Sequence, residues 1–323
     1  MQQIKIFSGS ANPSFAKTIC STLNLKLGDC KINKFSNENI KVNIEESVRG
    51  HDVYLIQTSC PPVNDGLMEL LIMIDAVKHA SAGRITVVCP YFPYVRSDKK
   101  DQPRISVTAR LVADLLQTAG ADRVMTMNLH SAQIQGFFRI PCDHLLAGKI
   151  LCDYLKQEFD TNEREEEYLK SHVVVAPDAG SAKLSGFYAQ KLRLPLAILD
   201  KRRVDDSENP NMNVIIGDVK GKNALIFDDE VASGGSLIKA ADALIEAGVN
   251  KVEACCVHGV LSGNAVERIK NSQISRLIVT DTVPVPESKR IDKIEVVSVA
   301  KLFAMAIQNT NQGKSISPLY HMF

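Results

Sequence analysis

The sequence predicts an α/β protein made of two similar domains, each a largely parallel sheet flanked by helices. Three observations predict it. Short β-branched runs alternate with helical patterns along nearly the whole chain. Those runs are continuously apolar rather than alternating, as strands covered on both faces are. The chain is 323 residues long, and at roughly 150 residues per domain that suits two globular units, each large enough for its own core.

In chain order, Ile4–Phe7, Val53–Gln57, Ile85–Cys89 and Val124–Met127 read as strands of the first half. Val173–Ala176, Leu196–Leu199, Ala224–Phe227, Val252–Val257 and Leu277–Val279 read as strands of the second. Between them, Leu67, Leu70, Leu71, Ile74 and Val77 follow helical spacing, as do Leu111, Leu115 and Leu116. A boundary is expected near 141–148, where Pro141 interrupts the chain after Gly136-Phe137-Phe138. This gives a first domain over 1–145 and a second over 146–304, with 305–323 packing back on the first. The acidic run Asp160–Glu167 reads as a solvated helix end or surface loop. Tyr91–Arg104 and Arg202–Asn213 are long, polar and Pro-containing, which points to functional loops.

Composition limits the function classes. With 45% hydrophobic and 23% charged residues the chain is neither disordered nor fibrous. Lys+Arg total 38 and Asp+Glu 37, a net +1; a general nucleic-acid binder needs a basic face, so none is expected. The eight Cys lie mostly inside apolar runs and form no Cys-x-x-Cys. Met1 to Phe7 carries no signal-like apolar stretch, and Glu69 and Asp75 break the most apolar helical pattern. The expected setting is therefore the cytoplasm, with no membrane partner.

The strongest local signal is Ala224-Leu225-Ile226-Phe227-Asp228-Asp229-Glu230-Val231-Ala232-Ser233-Gly234-Gly235-Ser236-Leu237. An apolar strand ends in two carboxylates, and a Gly/Ser turn then leads into a helix. The glycines allow close backbone approach, and the amides of the turn and helix N-terminus face an anion. Ser233 and Ser236 add hydroxyl donors, while Asp228 and Asp229 suit sugar hydroxyls or a metal-bound polyphosphate. The Walker spacing is absent.

This loop resembles the ribose-5-phosphate loop of the type I phosphoribosyltransferase fold. Lys5-Ile6-Phe7-Ser8-Gly9-Ser10, Lys34-Phe35-Ser36-Asn37, Met68-Glu69-Leu70-Leu71, Phe92-Pro93-Tyr94, Asp98-Lys99-Lys100, Gln133-Ile134-Gln135-Gly136-Phe137-Phe138 and Leu261-Ser262-Gly263 extend the resemblance. From residue 4 to about 310, the chain resembles the ribose-phosphate pyrophosphokinase (phosphoribosyl-diphosphate synthetase) family. The resemblance implies that ATP and ribose 5-phosphate give AMP and 5-phosphoribosyl 1-diphosphate, with Mg²⁺. It also implies self-association, as a dimer or a hexamer of dimers.

Site residues follow from the same resemblance. Phe35 and Asn37 would meet adenine, and Arg96, Lys99 and Arg104 the ATP phosphates. His130 and Asp178 would ligate Mg²⁺. Lys201 and Arg203 would clamp the transferred diphosphoryl group as point charge and forked donor. Asp228, Asp229 and Ser233-Gly234-Gly235-Ser236 would hold ribose 5-phosphate. Ser47, Arg49 and Ser81, with Ser315 and Ser317 of the tail, match parts of regulatory regions.

The chain departs from the family pattern at several positions. Asn39 and Ser97 stand in the nucleotide segments where the family has Glu and Gln, and Ala232 where the sugar loop has Asp. Asn128-Leu129-His130 replaces Asp-Leu-His, Gly180-Ser181 replaces Gly-Gly, and Arg139 replaces Asp. These departures define an alternative, a catalytically weak subunit that associates with active homologues and tunes them.

Overall fold

The computed structural model describes residues 2–159, 162–202 and 212–320, and divides into two compact units. The first comprises residues up to Leu146, Asp281–Pro284, and the chain from Ser298 on; the second comprises Ala147–Thr280 and Val285–Val297. The tail thus joins the first unit from Ser298, earlier than the expected 305.

The first unit begins β1 (Ile4–Ser8), α1 (Pro13–Thr22), β2 (Cys30–Lys34), β3 (Ile40–Ile44), β4 (Asp52–Ile56) and α2 (Val63–His79). It continues β5 (Arg84–Cys89), α3 (Thr108–Ala119), β6 (Arg123–Met127) and β7 (Cys142–Leu145). Its sheet runs β1-β4-β5-β6-β7, every pair parallel, while β2 and β3 form a separate antiparallel hairpin. Interior β4 is buried at all five positions, which is why it reads as an unbroken apolar run. One face packs Phe7, Leu55 and Val87 against Leu70, Ile74, Val112 and Leu116 of α2 and α3.

The second unit holds α4 (Gly148–Lys156), α5 (Asn162–Ser171), β8 (His172–Ala176), α6 (Ala182–Leu192), β9 (Leu196–Arg202), β10 (Met212–Ile216) and β11 (Asn223–Val231). Then come α7 (Gly235–Glu246), β12 (Lys251–Gly259), α8 (Ala265–Lys270), β13 (Ile274–Thr280) and β14 (Ile294–Val297). Its sheet runs β10-β9-β8-β11-β12-β13-β14, parallel except for β10, which pairs antiparallel at the edge. Leu237, Ala240, Ala241 and Leu244 of α7 pack on one face of the core. The Tyr188 ring of α6 stacks on Phe227 of β11 at 3.9 Å. The described part of the acidic run, 162–167, belongs to α5, where Glu166 and Lys170 pair across one turn.

The chain closes with α9 (Ala300–Asn311) and the short α10 (Ser317–Tyr320), which return to the first unit. Phe303 is fully buried and meets Phe15 edge to face, with ring centres 5.5 Å apart. Fully buried Asp52 takes a forked pair of bonds from Arg84 and accepts from Tyr54 Oη (2.9 Å) and Asn311 Nδ2 (2.8 Å). A buried carboxylate needs such partners, and here they tie β4 to the end of α9.

Candidate active site

In a parallel sheet, ligands bind beyond the carboxyl ends of the strands. In the first unit that edge carries the loops after β5 and β6, which are neighbouring strands. The loop after β5 lines a cleft of about 390 Å³ with Tyr91, Tyr94, Val95, Arg96, Ser97, Lys99, Asp101 and Ile105. Arg96 and Lys99 are exposed there, and Arg104 is exposed farther along the loop. Ser97 is otherwise engaged. Its carbonyl accepts from Ala109 N (3.1 Å), its hydroxyl accepts from Thr108 N (3.3 Å), and that hydroxyl lies 3.2 Å from the Ser106 carbonyl. These bonds satisfy first-turn amides of α3, which has no side-chain cap of its own.

Phe35, Asn37 and Asn39 sit at the tip of the β2–β3 hairpin. Phe35 N donates to the Asn39 carbonyl (2.9 Å), Asn39 N donates to Asn37 Oδ1 (3.2 Å), and Glu38 adopts φ +67°. Phe35 is 53% exposed. A large aromatic ring so placed is not core, and it offers a stacking surface.

His130 is exposed in the loop after β6, which ends at Met127 as expected. Asn128 turns the chain at φ +38°, and Leu129 N donates to His144 Nε2 at 2.8 Å. Burial pushes the His144 imidazole down to about 4, so the ring stays neutral and can accept that bond. His144 is a positioning residue the sequence analysis missed, because it lies in a short strand with polar alternation.

In the second unit, strand order reverses between β8 and β11: β9 and β10 continue on one side, β12 to β14 on the other. Such a switch point opens a crevice at the strand ends, and both carboxylate segments lie there. Asp178 is exposed just after β8, with Oδ1 accepting from Ser181 N (2.8 Å) and its carbonyl accepting from Ser181 Oγ (2.8 Å). Ser181, one of the departures from the family pattern, thus fixes the turn. Asp228 and Asp229 lie in the last part of β11, which runs on to Val231, and Asp229 N donates to Asp228 Oδ1 at 2.9 Å. Burial, and then the adjoining Asp229 carboxyl, push Asp228 up to about 8.

Ser233, Gly234, Gly235 and Ser236 form the entry to α7. Gly234 sits at φ +72°, a left-handed turn that glycine adopts without strain. A Cβ on Gly235 would lie 3.3 Å from Arg268 Nη2, so the position has little room. Leu261 N and Ser262 N donate to the carbonyls of Val231 and Ala232, each at 3.0 Å, and Arg268 Nη1 donates to the Ser233 carbonyl at 3.1 Å. The loop is therefore held from behind by residues that its local motif does not include. Ala232, where the family has Asp, contributes its backbone to this bracing. Arg203, the side chain of Lys201 and most of the expected loop 202–213 lie outside the described residues.

Among the described residues, no group of three or more His, Cys, Asp or Glu could cage a metal. His130 belongs to the first unit and Asp178 to the second. Each is exposed in its own unit, and each is the kind of donor that leaves most of a hard cation's coordination to substrate oxygens and water, as Mg²⁺ commonly has it.

Of the regulatory candidates, Arg49 and Ser81 meet, with Arg49 Nη1 donating to Ser81 Oγ at 3.1 Å. Ser47 is exposed nearby in sequence. Ser315 and Ser317 are joined through the tail's own turn, Ser317 N donating to Ser315 Oγ at 3.1 Å. No helix among the described residues is long and apolar enough to cross a membrane.

Comparison with known proteins bears on the family and the fold. Residues 4–120 match the N-terminal domain of ribose phosphate pyrophosphokinase, and residues 202–321 match the phosphoribosyl synthetase-associated domain. The chain is 51% identical over 317 residues to a ribose-phosphate pyrophosphokinase of Caldanaerobacter subterraneus subsp. tengcongensis, covering 98% of each. It is 48% identical over 320 residues to the one of Clostridium acetobutylicum, covering 99% of this chain and 98% of the relative. A crystal structure of phosphoribosylpyrophosphate synthetase from Mycobacterium smegmatis superposes with a TM-score of 0.88 at 39% identity, covering 97% of this chain and all of that one. The chain belongs to the ribose-phosphate pyrophosphokinase family.

Proposed function

We propose that this chain is a ribose-phosphate diphosphokinase, converting ATP and ribose 5-phosphate to AMP and 5-phosphoribosyl 1-diphosphate. The observation that carries the reading is near-complete coverage at 51% identity by an enzyme of that name. Such coverage also disfavours the alternative of a catalytically weak associated subunit.

The anomeric hydroxyl attacks the β-phosphorus, its oxygen forms the new bond, its proton departs, and AMP leaves with the bridging oxygen. Mg²⁺, with His130 and Asp178 as its proposed protein donors, would neutralise triphosphate oxygens. Arg96, Lys99 and Arg104 hold the phosphates, and Phe35 with Asn37 and Asn39 holds adenine. Asp228 and Asp229 accept hydrogen bonds from the ribose hydroxyls. The amides and hydroxyls of Ser233–Ser236 take the 5-phosphate. Lys201 and Arg203 meet charge that grows at transfer, which is where electrostatic stabilisation counts most. Self-association, as a dimer or a hexamer of dimers, and a cytoplasmic setting accompany this reading.

The test is AMP formation by the purified chain supplied with ATP, ribose 5-phosphate and Mg²⁺. Equal amounts of AMP and the diphosphate ester are expected. No turnover in either phosphate or sulfate buffer would overturn the reading.

A further inference from the structure

The first turn of α2 makes two contacts that the proposed chemistry does not use. Tyr94 Oη donates to Asn64 Oδ1. Lys34 Nζ lies 2.7 Å from Asp65 Oδ2. Asn64 and Asp65 are consecutive, yet their partners belong to separate parts of the first unit. Tyr94 lines the 390 Å³ cleft two residues before Arg96 and sits at φ +56°, a conformation a bulky residue keeps only when its surroundings hold it. Lys34 ends β2 and directly precedes Phe35 at the hairpin tip.

That turn of α2 is itself anchored. Gln57 Nε2 donates to the Gly66 carbonyl (3.2 Å) and to Glu69 Oε1 (2.7 Å). Buried Glu69 also accepts from Ser10 N (2.6 Å) and Ser10 Oγ (2.8 Å). The helix end is the fixed part, and the hairpin and loop are fastened to it side by side. Exposed pairs of this kind add little to overall stability. What they can fix is position.

We propose that Asn64 and Asp65 are positioning residues for the nucleotide. Asn64 holds the phosphate-binding loop through Tyr94, and Asp65 holds the adenine-binding hairpin through Lys34. The inference rests on the proposed function for what the two elements bind.

The full-length chain and its Tyr94→Phe, Asn64→Ala, Asp65→Asn and Asp65→Glu variants test it, by initial rates against ATP and against ribose 5-phosphate. Calorimetric titration with ATP alone runs in parallel. Tyr94→Phe and Asp65→Asn should raise the KM and the Kd for ATP about three- to ten-fold, the range one lost hydrogen bond supports. The KM for ribose 5-phosphate should stay within about two-fold. Asp65→Glu, which keeps the carboxylate, should recover most of the loss. Tyr94→Phe combined with Asn64→Ala should be no worse than either alone, because both remove one contact. Unchanged ATP affinity, an equal rise of both KM values, or additive losses in the double variant would each overturn the inference. An inactive wild type would sink the diphosphokinase reading instead, and the ATP titrations would then decide this inference alone.

Discussion

Asp228 is the residue where burial and chemistry conflict most. Its ordinary value is 3.8, and in the folded chain it is pushed up to about 8 by desolvation and the adjoining Asp229. The folded state therefore holds a proton that the unfolded chain releases, so its stability is fully present below about pH 4 and is lost as pH rises through 8. Asp228→Asn removes that loss. In thermal melts without ligand, the variant should exceed wild type by about 2–4 °C at pH 9 and show no such gain near pH 5, while its KM for ribose 5-phosphate rises. Melting curves that shift in parallel at both pH values would contradict this account. Backbone strain marks the same regions. Of the eight non-glycine residues with positive φ among the described residues, Glu38, Ser81, Tyr94, Arg104, Asn128 and Leu261 all lie in or beside segments assigned to ligands or regulation. Strain of this kind persists where function needs one particular chain direction.

At the scale of elements, β7 illustrates what a short strand can do. It brings His144 under the loop that carries His130. The folded value of His144, about 4, lies below the ordinary 6.5. Between those values the unfolded chain binds the extra proton, so stability is complete above about pH 6.5 and falls as pH drops toward 4, by an amount on the order of 3 kcal/mol. Replacement by Gln should flatten the melting temperature across that interval, measured by calorimetry. β7 also shows why some elements are illegible in sequence. Central strands such as β5 read as unbroken apolar runs because both their faces are covered. Cys142-Asp143-His144-Leu145 alternates at a sheet edge, and β2 is half exposed, so neither leaves that signal. The same contrast governs the site. Asp228 to Ser236 is legible because donors, acceptors and glycines are contiguous. Arg268, Leu261, His144 and Asn64 act across long sequence separations, and only folding brings them to their partners.

For the whole molecule, the decisive feature is that the first unit is built from both ends of the chain. Phe303 fills its core against Phe15, and Asn311 completes the shell around Asp52. Phe303→Ala should cost about 3–5 kcal/mol, read as a lower unfolding midpoint in urea; a midpoint unchanged from wild type would show that α9 is not needed to close that core. This arrangement also governs how the protein can be made. Synthesis runs from the N-terminus, so every strand of the first sheet has emerged long before α9 exists. At about 5–20 residues per second, translating Ala147–Val297 takes on the order of 8–30 s. Throughout that interval the nascent sheet lacks the helix that seals one of its faces. The second unit, by contrast, is complete by Val297. Folding on the ribosome is therefore expected to run out of chain order, with the later half finished first and the earlier half sealed afterwards by α9.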